Sequence, residues 1–384
     1  MTEFHYIGYA QEVIFSVGSL GRLSEAVDRS HWQRLMLCAS NSARRSGHVS
    51  SVEAALGHRL AVIYDHAQPH VPDSQVAEAL ALAVDHQVDA VIGLGGGSPI
   101  GLAKAVSSAL EEKRTGQPAR ATFPTDQPLV PVIAIPTTYA GSEMTAVYGI
   151  TQHADGSSRK ITFTDPKITP KLVIYDPRLT LDLPPTMTAS SGLNALAHCV
   201  EAVYSITRHP LSTVAALSGA RYIVHALPRC HAAGDDLDAR TEMLIGSHLA
   251  AISLSNVAMG FHHGLCHALG GTAGVPHGIA NAIVLPHAMR FNLDATAPQL
   301  AQVAEAIGLA VNGWGAEAAG EAAAQRIYEL IDQMKLPQRL RDVGVSRTDL
   351  PHLAQVALQS RAVQSNPKPI RDAAQIEAVL EGMW

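Results

Sequence analysis

The chain has 384 residues, of which 47% are hydrophobic and 16% are charged, and its formal net charge is -6. That length predicts about two domains with ample cores, and the acidic balance gives no electrostatic reason to expect nucleic acid or an anionic membrane surface as a partner. Short apolar runs, a start without a signal-peptide pattern and four widely spaced cysteines predict a cytoplasmic protein with reduced thiols that acts on a small molecule.

The first half of the chain alternates β-rich runs with helical stretches. A helix is predicted over Asp73–Asp85, and the runs that predict strands are Leu35–Ala39, Leu60–Tyr64, Val88–Leu94, Val130–Ile135 and Leu172–Tyr175. Alternation of this kind indicates βαβ units and a parallel Rossmann-like sheet covered on both faces. Residues 1–185 are therefore predicted to form an α/β dinucleotide-binding domain.

The second half of the chain has a different pattern. After Leu183-Pro184-Pro185 the sequence is rich in Ala and Leu at helical spacing, with few β-branched runs. The consecutive prolines end the strand-bearing part, and Thr186 or Thr188 is the predicted cap of the next helix. Residues 186–384 are predicted to form an all-α catalytic domain.

A glycine-rich turn follows the third predicted strand. Gly95-Gly96-Gly97-Ser98 leads directly into a helix, with Ser98 as the predicted N-cap and Pro99 as the first helical residue. Glycines let the backbone approach an anion closely, and a helix N-terminus presents free N–H groups. The turn is neither a dinucleotide fingerprint nor a P-loop, so by itself it fits a phosphate site and a simple turn equally well.

Two further strand ends bring polar residues to the same edge of the predicted sheet. The fourth predicted strand is followed by Pro136-Thr137-Thr138-Tyr139-Ala140-Gly141-Ser142-Glu143, and the first by Ser40 and Asn41. Ligands of open α/β sheets bind at the carboxyl ends of strands, so a dinucleotide, NAD or NADP, is predicted here. No acid follows the first strand to bind ribose hydroxyls. Arg44 or Arg45 either meets the 2′-phosphate of NADP or is a solvated surface charge.

A histidine cluster is predicted in the second half. Asn194 and His198 are four residues apart, as are His263 and His267, and His277 follows. Spacing of four places each pair on one helix face, so two helices and a following loop can converge these side chains on one point. A divalent metal in such a site usually needs a carboxylate, and Asn194 offers a neutral amide instead.

Taken together, these motifs resemble the iron-containing alcohol dehydrogenase superfamily, which shares its fold with dehydroquinate synthase. Phe15-Ser16-Val17-Gly18 near the start and Asn366-Pro367-Lys368-Pro369 near the end extend the resemblance over nearly the whole chain. It implies a nucleotide-binding domain, a helical domain and an active site in the cleft between them. It also implies that the residues that hold the cofactor are Gly95, Gly96, Gly97, Ser98, Thr137, Thr138, Ser142 and Lys160, and that the protein is a homodimer.

Within the superfamily, the chain is most similar to the maleylacetate reductase branch. Metal-dependent members have Asp at the position of Asn194 and bind their metal with it and with the positions of His198, His263 and His277. The maleylacetate reductase branch has Asn there, the Pro136 to Glu143 sequence, and a double His like His262-His263. Its members reduce maleylacetate to 3-oxoadipate with NADH or NADPH, without metal, in the degradation of aromatic compounds.

Two segments depart from that branch. Its members usually have Lys at the position of Gly264, so this chain is predicted to lack a cation near the cleft that would favour a dicarboxylate substrate. Gly278-Ile279-Ala280-Asn281 is closer to the metal-dependent alcohol dehydrogenases.

The resemblance supports a metal-free mechanism in which histidines hold the substrate. His198, His263 and His277 bind its carboxylate or oxo groups, with Asn194 as a hydrogen-bond donor or a bystander, and His267 donates the proton. Glu201, three residues from His198, is expected to orient that ring, and Asn281 and Arg290 are further polar candidates. Three alternatives stay open: a metal-dependent alcohol or aldehyde dehydrogenase with the metal on Asn194, His198, His263 and His277, a lyase of the dehydroquinate synthase kind, and a non-catalytic nucleotide-binding module.

Overall fold

The computed structural model describes Phe4, Tyr6, Gly8 and the chain from Gln11 to Trp384, apart from residues 118–119, 124 and 155–156 and the side chains of 153–154 and 157–160. Contacts divide the chain into two compact units, one ending at Asp182 and one comprising Leu183–Trp384 together with Phe4. The division predicted from the sequence falls after residue 185. In the described part of the chain, no helix is both long and apolar enough to cross a membrane.

A six-stranded parallel sheet forms the core of the first unit. Its strands are β1 Glu12–Phe15, β2 Leu35–Ala39, β3 Leu60–Tyr64, β4 Ala90–Gly95, β5 Val132–Pro136 and β8 Leu172–Tyr175. They lie in the order β1-β8-β5-β4-β2-β3, and β2, β4, β5 and β8 are buried along their whole length. Full burial is typical of parallel strands covered by helices on both faces. The predicted α/β fold and all five predicted strands are confirmed.

Three strands were not predicted. β1 is a four-residue strand with an apolar run of only three residues, Val13, Ile14 and Phe15, and its first two residues are exposed. β6 Val147–Ala154 and β7 Ser157–Thr164 form a separate antiparallel hairpin. Both hairpin strands mix polar and apolar residues, and their spacing does not distinguish them from a loop.

Helices α1 to α5 pack on the sheet, with bounds Leu23–Arg29, Asn41–Arg45, His48–Leu56, Asp73–Asp85 and Gly97–Thr115. The fourth, α4, has the predicted bounds. The prediction that Ser98 caps α5 is wrong, because the helix begins at Gly97 after Gly96, which makes no side-chain cap. Pro99 is therefore the third helical residue, where its missing N–H is still harmless.

The second unit is helical. Its helices α6 to α14 are Pro185–Tyr204, Pro210–Ala232, Leu237–Leu254, Phe261–Ala273, His277–Ala306, Ala316–Gln333, Leu350–Leu358, Arg361–Gln364 and Ala373–Gly382. No strand lies between Leu183 and Trp384, all of which the structure describes, so the predicted all-α second half is confirmed. The four cysteines are buried and free, as predicted: Cys38, Cys199, Cys230 and Cys266.

A buried arginine holds the start of α6. The predicted caps are wrong, since α6 begins at Pro185 without a side-chain cap. Instead, Thr188 Oγ1 donates to Leu183 O at 3.2 Å and accepts from Nη1 of Arg240 at 2.9 Å. Arg240 has no exposed surface, and it also donates to Leu183 O and to Gly234 O. The first turn of the second unit is thus fixed by a tertiary contact from α8.

Candidate cofactor site and histidine cluster

The glycine turn between β4 and α5 brings the helix very close to the strand. A Cβ atom at Gly93 would lie 2.7 Å from Ile100 Cα, and Gly95 has φ +138°, which strongly favours glycine. A Cβ at Gly96 would lie 3.1 Å from Thr138 Oγ1, whereas one at Gly97 would meet nothing within 4 Å. The turn therefore leaves open space at Gly97, beside the free N–H groups of α5. Gly93 was not predicted to matter, because it lies inside the strand.

The predicted cofactor residues lie at neighbouring strand ends. β2 lies between β3 and β4, so the chain crosses to the other side of β2 after β3, and such a switch point is where open sheets bind ligands. Ala39 at the end of β2 is in register with Leu94, and Gly95 is in register with Pro136. Thr137 N donates to Gly95 O at 3.0 Å. The structure thus brings the turns that carry Ser40, Gly96 and Thr137 to one edge of the sheet.

The turn after β2 carries the residues that were predicted to lie near the ribose or the 2′-phosphate of the cofactor. Ser40 caps α2 by accepting from Ala43 N at 3.4 Å, while Asn41 is exposed. Arg44 forms an ion pair with Asp65, which follows β3 directly. Arg45 is exposed. One of the two arginines proposed for NADP is therefore already paired with a carboxylate.

Lys104 on α5 fixes the loop between Ser142 and Val147, which begins within the Pro136 to Glu143 stretch. Its side chain is fully buried, and Nζ donates to the carbonyl oxygens of Ser142, Thr145 and Val147 at 2.6, 2.7 and 3.0 Å. Burial lowers the pKa of Lys104 to about 7, against an opposing effect of Glu143. Sequence reasoning missed this residue, although a lone lysine in the apolar stretch around it was the available signal. Lys160 lies in β7, and its side chain is outside the described part of the structure.

The four predicted histidines come together in the second unit. α6 carries His198, α9 carries His263 and His267, and His277 is the first residue of α10 and not a loop residue. The ring centroids lie 4.7 Å apart for His198 and His263, 6.2 Å for His263 and His277, and 5.7 Å for His267 and His277. Asn194 is buried one turn before His198 on α6.

Two glycines explain the close packing around this cluster. A Cβ at Gly278 would lie 2.8 Å from Ser190 Cβ, so the start of α10 lies directly against α6. A Cβ at Gly264 would lie 2.5 Å from Val363 Cγ2 and 3.0 Å from Val363 N. Position 264 therefore faces α13, where the close approach of Val363 leaves no room for a side chain.

Glu201 binds the first turn of α9. Its carboxylate accepts from the N–H groups of Gly260, His262 and His263 at 3.1, 3.1 and 3.3 Å, which are among the donors a helix N-terminus leaves unpaired. Its Oε2 also lies 2.5 Å from Nδ1 of His263. The expectation that Glu201 orients His198 is wrong, because the neighbour in space is on another helix. His263 is oriented instead.

This contact decides the protonation of His263. Burial alone would raise the pKa of Glu201, but hydrogen bonds from His262 and His263 hold it well below its ordinary value, so Glu201 is ionised. A carboxylate has no hydrogen to donate, so the proton lies on Nδ1 of His263 and Nε2 keeps a lone pair. Among the described residues, no hydrogen-bond partner faces that Nε2 or Nδ1 of His198.

Both rings are neutral near pH 7. Burial lowers the pKa of His198 well below 6.5, with further lowering by His263 and His277, and burial also lowers the pKa of His263 against the effect of Glu201. Neutral imidazoles hold a substrate by hydrogen bonds and not by charge. His267, by contrast, is exposed to solvent and His277 is partly exposed.

The arrangement does not fit the divalent metal that the superfamily implies. The rings of His198 and His263 are stacked at 14°, so their in-plane lone pairs run in nearly parallel planes and do not meet at one ion. Among described His, Cys, Asp and Glu side chains, the three whose ligand atoms lie within 4.8 Å of one another are Glu201, His262 and His263. That set is fully buried, and α9 amides already occupy its carboxylate.

The two further polar candidates have structural contacts. Asn281 donates through Nδ2 to His277 O at 2.6 Å, and its carbonyl oxygen lies 3.2 Å from Nε2 of His262. Arg290 is paired with Glu321 on α11 at 2.7 Å. Asn281 therefore contacts both His277 and His262, whereas Arg290 joins α10 to α11.

Comparison with known proteins shows which families, sequences and solved structures this chain resembles. Residues 10–177 match the family model described as iron-containing alcohol dehydrogenase, and residues 188–384 match the model of that family's C-terminal part. Maleylacetate reductase of Pseudomonas knackmussii is 37% identical over 94% of this chain and 92% of its own. The crystal structure of maleylacetate reductase from Rhizobium sp. strain MTP-10005 is 32% identical, with a TM-score of 0.84 over 100% of this chain and 99% of that chain. A 1,3-propanediol oxidoreductase structure is 30% identical, with a TM-score of 0.92 over 100% of both chains.

Proposed function

The chain belongs to the iron-containing alcohol dehydrogenase family and is an oxidoreductase, and on that premise we propose that it reduces maleylacetate, or a close oxo-acid, with NADH or NADPH and without metal. The full-length similarity to maleylacetate reductases supports the substrate class. The observation that carries the proposal is the buried pair of neutral His198 and His263, whose stacked rings do not direct their lone pairs at one ion.

The proposed reaction needs few groups beyond the cofactor, which supplies the hydride. The hydride adds to the alkene carbon β to the ketone, and the electron pair moves into an enolate. Hydrogen bonds from N–H groups of His198 and His277 stabilise the developing oxyanion, whereas Nε2 of His263 carries no hydrogen and can only accept one. His267 then protonates the α carbon, and its solvent exposure lets it regain a proton for the next turnover.

The cofactor is proposed to bind through its pyrophosphate at Gly95 to Ser98. Open space at Gly97 beside the N-terminus of α5 supports this, because free N–H groups and the helix dipole favour an anion there. Thr137, Thr138 and Ser142 line the neighbouring turn. The pairing of Arg44 with Asp65 supports NADH as the preferred cofactor, since the carboxylate offsets the charge that a 2′-phosphate would need.

A metal-dependent alcohol or aldehyde dehydrogenase is the second candidate. His263 favours it, because a histidine that donates Nδ1–H to a carboxylate and keeps a lone pair on Nε2 has the tautomer of a metal-bound imidazole. The similarity to a 1,3-propanediol oxidoreductase points the same way. The cytoplasmic location and the homodimer stay predictions from the sequence.

A substrate panel separates the two candidates. Oxidation of NADH and of NADPH is followed with maleylacetate and with a series of aldehydes, each with and without EDTA. We expect rapid turnover of maleylacetate that EDTA leaves unchanged. Turnover of aldehydes alone, abolished by EDTA, would support the second candidate instead.

A further inference from the structure

The segment Asn366-Pro367-Lys368-Pro369 has no part in the proposed chemistry, yet it contacts the helices that carry the histidines. Asn366 is almost fully buried and lies 105 residues from Phe261 and 74 residues from Asn292 in the chain. Its side chain reaches both. A polar residue buried at this depth is costly unless every hydrogen bond is made, so its partners are informative.

Asn366 and Asn292 form a reciprocal amide pair. Nδ2 of Asn366 donates to Oδ1 of Asn292 at 2.6 Å, and Nδ2 of Asn292 donates to Oδ1 of Asn366 at 3.1 Å. The same Oδ1 accepts from Phe261 N at 3.0 Å, at the start of α9. Position 366 thus needs a donor and an acceptor on one planar group, which Asn provides and Asp does not.

The amide pair and Glu201 meet at the first turn of α9. A Cβ at Gly260 would lie 2.9 Å from Asn366 Oδ1 and 3.0 Å from Glu201 Oε1. Asn366 accepts from the N–H of Phe261, and Glu201 accepts from those of Gly260, His262 and His263. Two acceptors from different parts of the chain therefore share the unpaired donors of one helix end, just before His263.

Lys368 anchors the segment to α10. Its Nζ donates to Phe291 O at 3.0 Å, lies 2.9 Å from Asp294 Oδ2, and stands 4.7 Å from the centre of the Phe291 ring. Asn292, between these two residues, is fully buried. Asn366, Lys368 and Glu201 together therefore join α6, α9 and α10, which carry His198, His263 and His277.

We propose that Asn366, paired with Asn292, is a positioning residue for the histidine cluster: it holds the first turn of α9 so that Glu201 keeps His263 in the Nδ1–H tautomer, with its unpaired Nε2 left as a hydrogen-bond acceptor. Its effect on turnover rests on the proposed function. Its effect on His263 does not, because the tautomer can be observed without substrate.

The test compares the wild type with Asn366→Asp, Asn366→Gln and the exposed control Asn312→Asp, each labelled with ¹⁵N-histidine. Long-range ¹H–¹⁵N spectra report the tautomer, and a His263→Gln variant assigns the signals. We expect Asn366→Asp to shift the His263 resonances and to lower kcat about 10–100-fold, the usual loss when a side chain supporting a site residue is removed, with KM changing much less. Asn366→Gln should restore part of both, and Asn312→Asp should match the wild type.

Unchanged His263 signals and wild-type kcat in folded Asn366→Asp would overturn the proposal. If that variant does not fold, Asn292→Ser is decisive, because it removes the reciprocal partner of Asn366 and leaves Asn366 itself in place. It should shift the His263 signals in the same direction, and unchanged signals would reject the proposal. If the wild type does not reduce maleylacetate but the His263 signals still shift in Asn366→Asp, the proposed function is refuted and this inference is retained.

Discussion

Glu143 in the first unit and Glu201 in the second are both buried, and the two carboxylates are held in opposite ways. Glu143 in the first unit has one side-chain donor, the hydroxyl of Tyr175 at 2.8 Å, and burial raises its pKa above the ordinary value. Glu201 in the second unit is just as buried, but it accepts from three backbone N–H groups and an imidazole, and it is ionised. The number of donors, and not burial, decides the charge.

Replacing each glutamate by glutamine is expected to give the largest difference in stability between the two sites. Glu201→Gln should lower the free energy of unfolding by about 3–5 kcal/mol, because it removes one partner of a buried charged network. Glu143→Gln should cost about 1 kcal/mol or less, since glutamine resembles the neutral carboxyl that burial favours. Urea unfolding at pH 7 measures both. Equal losses would contradict the assignment of charge.

Low pH is expected to lower the stability of the protein through the buried histidines of the second unit. Below its ordinary pKa of 6.5 an imidazole in the unfolded chain binds a proton, while buried His198 and His263 stay neutral because their pKa values are lowered. Stability is therefore expected to fall as pH decreases from 6.5, by up to about 1.4 kcal/mol per pH unit for each ring. His198→Gln should flatten the profile measured by urea unfolding. An unchanged slope in that variant would remove His198 from the explanation.

The smallest expected effect lies in the first unit, at the half-exposed pair of Arg44 and Asp65. Asp65→Asn frees the guanidinium and should tighten NADPH binding by at most about fivefold, since an exposed ion pair is worth roughly 1 kcal/mol or less. NADH binding should not change. Fluorescence titration of both cofactors measures this, with Arg44→Ala in the Asp65→Asn background as the control. Tighter NADPH binding that survives the control would exclude Arg44 as its cause.

Much of the fold follows from local pattern. The β-branched runs predicted five strands, and apolar spacing predicted α4 with its observed bounds. Spacing of four also predicted which histidines share a face, and the structure brings His198, His263, His267 and His277 together.

The parts that could not be predicted depend on contacts between distant segments. Glu201 lies one turn from His198 in sequence, but its partner in space is His263 on another helix. Asn366 finds Asn292 across 74 residues, and no local spacing encodes that pairing. The cap expected at Ser98 failed for a related reason, because close packing of α5 on Gly93 sets where the helix begins.

The most direct test of metal-free hydride transfer is to measure bound metal and turnover in the same samples. Purified protein is treated with EDTA, reloaded with graded Fe²⁺ or Zn²⁺, and analysed for bound metal and for maleylacetate-dependent NADH oxidation in the same samples. The Asn194→Asp variant, which restores the carboxylate of metal-dependent members, serves as the matched comparison. We expect full activity without stoichiometric metal in the wild type, and no stoichiometric metal in the variant, because the stacked rings of His198 and His263 do not meet at one ion. Wild-type activity that rises in proportion to bound metal would contradict a metal-free site.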